Sequence, residues 1–304
     1  MRDTLVAGIE KLAQEDKKVL LLTGDHGGAL WGNFRENFPE QYINVGIAEQ
    51  NMVGVAAGLS RLGFRPFVYA LSAFVPVRVL EQMKLDVCHD NLPVVFLGDG
   101  AGFVYSHLGS SHQSTEDIAV TRVIPNLSIF SPADKAEMNN SLNLAYTSKS
   151  PVYLRIGKSD VGDIHEDNLS FNLGDLINLK EGSGKIHFIA TGSMVKSAIE
   201  LTKEFTEAGL SSAPSLKPID SNEIIKICNN NEVVFTLEEH SILGGLGSIV
   251  AEISSLESPV HLCRIGVNDR FSELCGTYHY LLKEHKLDID SIKGQITKFL
   301  NNRI

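Results

Sequence analysis

The sequence lacks the features that mark nucleic-acid-binding, membrane and secreted proteins. Its formal net charge is −10, and no run of lysine or arginine would hold a phosphate backbone or an anionic membrane. No window approaches the ~18 consecutive apolar residues of a membrane span, and the amino terminus lacks the apolar core and cleavage site of a signal peptide. We therefore expect a cytoplasmic protein that binds neither nucleic acid nor membrane.

Cysteine is equally scarce. The four cysteines lie far apart and none belongs to a CxxC pair, which predicts reduced, mostly packed thiols rather than a disulfide framework or a metal cluster. Hydrophobic residues make up 43% and charged residues 21% of the 304 residues. This composition is ordinary for a soluble globular protein, and the length allows two domains.

Short apolar runs alternate with amphipathic segments along nearly the whole chain. The predicted strands are KKVLLLTGD, RPFVYAL, LPVVFLGDG, LSIFSP, PVYLRIG, KIHFIATGS, VVFTLEEH and VHLCRIG, and the predicted helices include 4–13, 49–62, SPADKAEMNNSLNLAY and SIKGQITKFL. Because strand, turn and helix repeat in this order, we predict an α/β fold of two domains, each a mostly parallel sheet with helices on both faces. The polar segment 166–184 is the predicted linker between domains at 1–165 and 185–304.

Two clusters of polar residues follow predicted strands and are candidates for a binding or catalytic site. Asp25 and His26 follow the strand in LLTGDHGG, at the edge where open α/β sheets bind ligands. SHLGSSHQSTED contains His107 and His112, and a histidine there could move a proton near neutral pH. Solvated loops without a chemical role are the alternative for both stretches. The sequence has neither GxGxxG nor GxSxG spacing, so a dinucleotide fingerprint and a nucleophile elbow are not indicated.

Glu49 is the one acidic residue in INVGIAEQNMVGVAAGL, a stretch of otherwise apolar, small or uncharged side chains. A carboxylate that is buried and charged without a partner is costly. The sequence therefore predicts a specific partner for Glu49, and the glycines and alanines around it would let other backbone approach closely.

Several stretches together resemble transketolase. They occur in the order expected of that family and cover nearly the whole chain: GDHGG with NVGIAEQNM, LPVVFLGDGAGF, SSHQSTED, IPNLSIFSPAD, PVYLRIG, TLEEHSILGGLGS and RIGVNDRF. The resemblance extends only to the last two of transketolase's three domains. The chain thus looks like the C-terminal subunit of a split transketolase, with the pyrimidine-binding domain at 1–165 and the transketolase C-terminal domain at 185–304.

The resemblance implies thiamine diphosphate and Mg²⁺ as cofactors, and a separate N-terminal subunit that holds the diphosphate and the metal. Because the sites of this family lie between subunits, it also implies an α2β2 heterotetramer. The triplet GDG at 98–100, followed by Asn126, has the residue types of a Mg²⁺-diphosphate motif. The resemblance places it in the pyrimidine-binding domain instead, so we expect no metal ligand on this chain.

The resemblance also assigns catalytic and binding roles. Glu49 matches the catalytic glutamate that hydrogen-bonds the aminopyrimidine and favours the imino tautomer, whose free nitrogen deprotonates the thiazolium carbon. Phe74 matches an aromatic residue that packs around the pyrimidine, and Asp25 matches an aspartate close to the thiamine. His112 matches a histidine that contacts the donor sugar. Arg155 matches the arginine that binds the sugar phosphate, a dianion that suits a guanidinium fork.

Departures from the family concern the substrate pocket. Val77 stands where transketolases carry a second stacking aromatic, and Gly98 replaces a substrate histidine beside the matching Asp99. His26 replaces an apolar residue, and a longer loop contributes His107. We place His26, Asp99 and His107 in the substrate pocket and expect an altered sugar as the substrate.

The expected reaction is transfer of a two-carbon ketol unit from a ketose, usually phosphorylated, to an aldose. A condensation like that of deoxyxylulose phosphate synthase and the β subunit of a 2-oxoacid dehydrogenase are the enzymatic alternatives, although EEHSILGGLGS and RIGVNDRF disfavour the dehydrogenase. A non-catalytic regulatory paralogue is the alternative outside enzymes. The intact candidate residues argue against it.

Overall fold

The computed structural model describes residues 1–158 and 162–302. Its strands, in chain order, are β1 Val19–Thr23, β2 Tyr42–Asn44, β3 Arg65–Leu71, β4 Val95–Asp99, β5 Ser128–Phe130, β6 Val152–Ile156, β7 Ile177–Lys180, β8 Ile186–Ala190, β9 Gly209–Ser212, β10 Ser215–Lys217, β11 Val233–Ser241 and β12 His261–Val267. They form a seven-stranded sheet of order β10-β5-β6-β4-β3-β1-β2 and a five-stranded sheet of order β12-β11-β8-β9-β7. Each sheet is parallel except for one edge strand, β10 in the first and β7 in the second.

Helices cover the sheets. They are α1 Arg2–Glu15, α2 Gly32–Asn37, α3 Glu49–Arg61, α4 Leu80–Gln82 (which runs into a π-helical turn at Met83–Cys88), α5 Asp117–Arg122, α6 Lys135–Thr147, α7 Met194–Glu204, α8 Ser221–Asn230, α9 Leu246–Glu257, α10 Tyr278–Glu284 and α11 Ile289–Asn301. Apolar side chains of the central strands are fully buried on both faces of the first sheet, as expected where helices pack on both sides. The predicted α/β fold with two mostly parallel sheets is confirmed.

Four strands were not predicted from the sequence: β2, β7, β9 and β10. They are three or four residues long, which is too short for a clear alternation of apolar and polar residues. β7 lies inside the predicted linker 166–184 and pairs with β9, and β10 returns to the first sheet and pairs with β5. The two sheets are therefore connected by more than one segment, and the division at 165 and 185 stays a prediction.

None of the helices in the described ranges is long and apolar enough to cross a membrane. All four cysteines are free. Cys88 and Cys228 are buried, Cys263 is half-buried and Cys275 is exposed.

A buried acid–histidine cluster joins the two sheets. Glu137, on α6, is completely buried, and its carboxylate accepts hydrogen bonds from Ser212 Oγ of β9 at 2.6 Å and from the Ala133 amide at 2.6 Å. His165 Nδ1 lies 3.1 Å from Asp134 Oδ2, and its Nε2 lies 3.7 Å from Glu137 Oε1. Burial raises the pKa of Glu137 to about 7 although both hydrogen bonds favour the charged form. Burial opposes the charge of His165, but the hydrogen bond to Asp134 raises its pKa above the ordinary value.

This cluster makes the stability of the protein depend on pH. A carboxyl whose pKa is raised in the folded state binds its proton more tightly when folded, so stability is lost as the pH rises from the ordinary value near 4.5 to about 7. For Glu137 the loss should be roughly 3 kcal/mol, and the raised pKa of His165 acts in the same direction. Between pH 5 and pH 7.5, urea unfolding should show a smaller decrease in the free energy of unfolding for Glu137→Gln than for the wild type. An equal dependence of the unfolding free energy on pH in both proteins would contradict the assignment of this effect to Glu137. Glu166→Gln, a change on the exposed surface, serves as the control.

Candidate active site

The predicted site residues converge at the carboxyl edge of the first sheet. Asp25 and His26 follow β1, Glu49 follows β2 at the start of α3, and Phe74 follows β3. Because β2, β1 and β3 are adjacent and parallel, these ends lie side by side. The loops after β1 and β2 touch: a Cβ on Gly24 would lie 3.0 Å from the backbone oxygen of Gly46. The fold thus brings the exposed Asp25 loop beside the loop that leads into Glu49.

Glu49 has a partner within this chain. Its side chain is 10% exposed, and its carboxylate accepts a hydrogen bond from Arg78 Nη1 at 3.1 Å. The resemblance supplied only the cofactor as a partner for this carboxylate, so Arg78 is an addition that the sequence analysis missed. The position of Glu49 in the first turn of α3 also suits its charge, because the amino-terminal end of a helix favours an anion.

Phe74 and His112 extend this pair into a cluster. The Arg78 guanidinium carbon lies 4.0 Å from the centroid of the Phe74 ring. On the same ring the imidazole of His112 makes an edge contact, with centroids 5.4 Å apart and planes at 65°. His112 Nδ1 is 3.0 Å from Ser111 Oγ, which leaves Nε2 as the nitrogen available to a ligand. Three of the predicted residues, Glu49, Phe74 and His112, are therefore brought together.

Asp99 organises a second cluster at the end of β4. Its carboxylate is almost fully buried and accepts hydrogen bonds from Arg2 Nε at 2.8 Å, Tyr69 OH at 2.9 Å and Tyr105 OH at 2.8 Å. His26 Nε2 lies 3.5 Å from Asp99 Oδ2. Burial alone would raise the pKa of Asp99, but the hydrogen bond to His26 and the Arg2 guanidinium bring it below its ordinary value. Asp99 is thus a buried anion that positions its neighbours.

His26 is a half-buried member of this second cluster. Its ring stacks on Tyr69 with centroids 5.8 Å apart and an interplanar angle of 11°, and its Nε2 lies 3.4 Å from Tyr105 OH. His26 therefore presents a fixed imidazole at the carboxyl edge of the sheet. His107 is exposed in a short 3-10 turn, Ser106–Leu108, and the described contacts give it no such support. Its role stays a prediction.

Arg155 lies near the carboxyl end of β6, but its side chain is buried. It is 3% exposed, and its Nε donates to Asp117 Oδ2 at 2.8 Å while Nη2 donates to the backbone oxygen of Glu239 at 2.8 Å. These contacts tie β6 of the first sheet to β11 of the second. Binding of a sugar phosphate by Arg155 stays a prediction, and the described hydrogen bonds engage its Nε and Nη2 but not its Nη1.

The GDG triplet and Asn126 have separate partners. The Asn126 amide donates to the backbone oxygen of Cys88 at 2.9 Å, whereas Asp99 is engaged by Arg2 and the two tyrosines. Across the residues that the structure describes, no group of three or more His, Cys, Asp and Glu side chains is arranged to hold a metal ion.

The first cluster fits the aminopyrimidine half of thiamine diphosphate. Glu49 offers a carboxylate acceptor and Phe74 an aromatic face, and together they already hold a planar nitrogen-bearing cation, the guanidinium of Arg78. A planar aminopyrimidine has the same needs, a hydrogen-bond acceptor at its edge and an apolar surface at its face.

Sequence reasoning missed Arg2, Tyr69, Tyr105 and Arg78. Arg2 is 97 residues from Asp99 in the chain, so no local pattern could have paired them. Arg78 lies in the stretch SAFVPVR that includes Phe74, and a cation four residues after an aromatic was a usable signal.

Comparison with known proteins identifies the family. Residues 1–163 match the model of the transketolase pyrimidine-binding domain, and residues 176–292 match that of the transketolase C-terminal domain. An apulose-4-phosphate transketolase subunit of Phocaeicola vulgatus is 35% identical in an alignment that covers 98% of this chain and 95% of that protein. The 6-deoxy-6-sulfo-D-fructose transketolase subunit SqwH of Clostridium sp. (strain MSTE9) is 33% identical over 297 residues, 96% of this chain and 92% of that protein.

A solved structure agrees with the sequence relatives. A split gene transketolase, described as an inactive beta4 tetramer, superimposes with a TM-score of 0.89 at 35% identity, covering 99% of this chain and 97% of that chain. Its length and that of the two subunit relatives match this chain nearly end to end. The chain therefore belongs to the transketolase family, of which it carries the pyrimidine-binding and C-terminal domains.

Proposed function

We propose that this chain is the C-terminal subunit of a thiamine diphosphate-dependent split transketolase, which transfers a two-carbon ketol unit from a ketose to an aldose. The observation that carries the proposal is the cluster of Glu49, Phe74 and His112, an acceptor, an aromatic face and an imidazole within one site. The family models and the subunit relatives support it from the sequence side.

Each residue of the cluster has a distinct task. When bound, thiamine diphosphate supplies a thiazolium ring that can accept the electrons of the cleaved carbon–carbon bond. Glu49 would hold a proton at the aminopyrimidine ring nitrogen, and Phe74 would pack against the ring. His112, fixed by Ser111 and Phe74, would donate from Nε2 to an oxygen of the donor sugar.

The diphosphate and Mg²⁺ require a second polypeptide in this proposal. The described residues offer no metal cluster, and the chain matches proteins whose names mark them as subunits of a larger enzyme. We infer a separate N-terminal subunit and an α2β2 assembly. Co-expression with that subunit, followed by light scattering and cofactor titration, tests this assembly.

We further propose that the substrate is a modified sugar. His26, held by Tyr69 and Tyr105 beside Asp99, places an imidazole where the common family pattern has an apolar residue. Two relatives of similar length carry apulose 4-phosphate and 6-deoxy-6-sulfo-D-fructose in their names. Both are altered sugars, which supports a pocket adapted away from the usual pentose phosphates.

A donor panel tests this function. The assembled enzyme should turn over a branched or sulfonated ketose faster than xylulose 5-phosphate, in a reaction that requires added thiamine diphosphate. His112→Ala should lower kcat/KM for the preferred donor about tenfold through loss of one hydrogen bond, whereas His89→Ala, a change at an exposed histidine, should not. Xylulose 5-phosphate as the best donor would overturn the modified-sugar proposal.

The same assay separates the alternative reactions. A synthase-like enzyme would release carbon dioxide from pyruvate in the presence of an aldose phosphate, and a dehydrogenase β subunit would need a lipoyl acceptor. Ketol transfer without pyruvate distinguishes the proposed activity from both. A complex that binds thiamine diphosphate but transfers no unit from any donor would favour a regulatory paralogue.

A further inference from the structure

We propose that the Arg78 side chain occupies the aminopyrimidine position when thiamine diphosphate is absent and must leave it when the cofactor binds. This inference rests on the proposed function, since it assumes that Glu49 and Phe74 bind the pyrimidine. It assigns to Arg78 control over cofactor affinity, a role that the resemblance does not include.

The contacts of Arg78 reproduce those expected of the cofactor ring. Its Nη1 donates to Glu49 Oε2 at 3.1 Å, and its guanidinium carbon lies 4.0 Å from the Phe74 ring centroid. Guanidinium is planar and delocalised, stacks on aromatic faces and carries N–H donors in its plane. A planar ring that donates to Glu49 while stacked on this face of Phe74 would overlap the guanidinium, so the two cannot bind together.

The Arg78 side chain can move while its backbone stays in place. Its side chain is 45% exposed, whereas that of Glu49 is only 10% exposed. The main chain is held independently: the Arg78 amide donates to the Phe74 oxygen at 3.0 Å, and Gln50 Nε2 donates to the Arg78 oxygen at 3.3 Å. Rotation about the side-chain bonds therefore suffices to clear the site into solvent.

The physical need for such a placeholder follows from Glu49. A nearly buried carboxylate without a partner destabilises a protein, and a chain that folds before it meets its partner subunit has no cofactor to pair with it. Arg78 provides a positive charge beside Glu49 until the cofactor binds. The consequence is that the cofactor competes with an internal ligand for Glu49 and Phe74.

Competition predicts an affinity change of a definite sign. An ion pair with a partly exposed arginine, together with one cation–π contact, corresponds to a factor of about ten in an equilibrium constant. In the complex with the N-terminal subunit, at saturating Mg²⁺, Arg78→Met should lower the calorimetric Kd for thiamine diphosphate about tenfold. Arg78→Lys, which keeps the charge but not the plane, should fall between Arg78→Met and the wild type.

A matched control removes the effect of net charge. Arg61, at the end of α3, makes an exposed ion pair with Asp90 at 2.6 Å, and Arg61→Met should leave the Kd unchanged. A second readout uses the chain alone: Arg78→Met should lower its urea midpoint, since Glu49 loses its partner, and Arg61→Met should lower it less.

The outcomes distinguish this inference from the proposed function. An unchanged or raised Kd in Arg78→Met, with wild-type binding intact, overturns the placeholder role and leaves the transketolase assignment standing. A wild-type complex that does not bind thiamine diphosphate at all refutes the proposed function itself.

Discussion

Replacing Glu49 with glutamine should lower kcat of the assembled enzyme by at least about 100-fold, the range expected for loss of a positioned proton-transfer group. The amide cannot hold and return a proton at the aminopyrimidine ring nitrogen, although it nearly preserves the size of the side chain. Because Glu49 lies at the first turn of α3 with its backbone in regular helix, the fold should survive. Steady-state ketol transfer with the preferred donor measures the effect.

The control for this change is Glu40→Gln, which removes one negative charge from an exposed position and should leave kcat unaltered. Assembly of the Glu49→Gln chain with the N-terminal subunit, followed by size-exclusion chromatography, shows whether the loss is chemical. Wild-type turnover in an assembled Glu49→Gln complex would remove Glu49 from the catalytic machinery.

The sequence was sufficient to predict the fold where local chemistry decides it. Runs such as RPFVYAL are too apolar for an exposed strand, and β3 occupies Arg65–Leu71 with all but its first residue buried. The helix that begins at Glu49 was equally readable, since its apolar positions recur with helical period. Local motifs singled out Asp25, His26 and Glu49 at the edge of the sheet. In contrast, Phe74 and Asp99 came from the resemblance to transketolase.

Long-range contacts explain what the sequence could not predict. Glu238, in TLEEH, accepts hydrogen bonds from the Leu246 and Gly247 amides at 2.7 and 2.8 Å, at the start of α9. A Cβ on Gly245 would lie 1.9 Å from Glu238 Oε2, which explains why GGLGS needs glycine there. Burial raises the pKa of Glu238 to about 7 in spite of these amides. TLEEH and GGLGS were both recognisable in the sequence, but the contact between them could not be predicted from it.

Long-range contacts also explain the uncertain role of Arg155. The motif around it is compatible both with a buried ion pair and with an exposed ligand site. PVYLRIG contains an arginine in an apolar strand, a pattern compatible with a phosphate ligand at the strand end or with a partner inside the fold. In the structure its Nε donates to Asp117, which is completely buried, and its Nη2 donates to the Glu239 backbone oxygen. The two roles predict different results for one substitution.

Arg155→Met should lower the free energy of unfolding by about 3–5 kcal/mol, because Asp117 would keep a buried charge without its cation. Tyr153 OH would still donate to Asp117 Oδ2, but a neutral donor compensates a carboxylate only in part. Urea unfolding of the chain measures the loss. The double variant Arg155→Met/Asp117→Leu should recover part of it, since an apolar pair of similar volume avoids the unpaired charge.

The contrary result is equally specific. If Arg155 also bound the sugar phosphate, Arg155→Met would in addition raise KM for phosphorylated donors, with little change for an unphosphorylated ketose. Loss of stability that Asp117→Leu partly restores, with an unchanged KM for phosphorylated donors, assigns Arg155 to the junction between β6 and β11. The phosphate would then have to be held by other cations of this chain or by the N-terminal subunit.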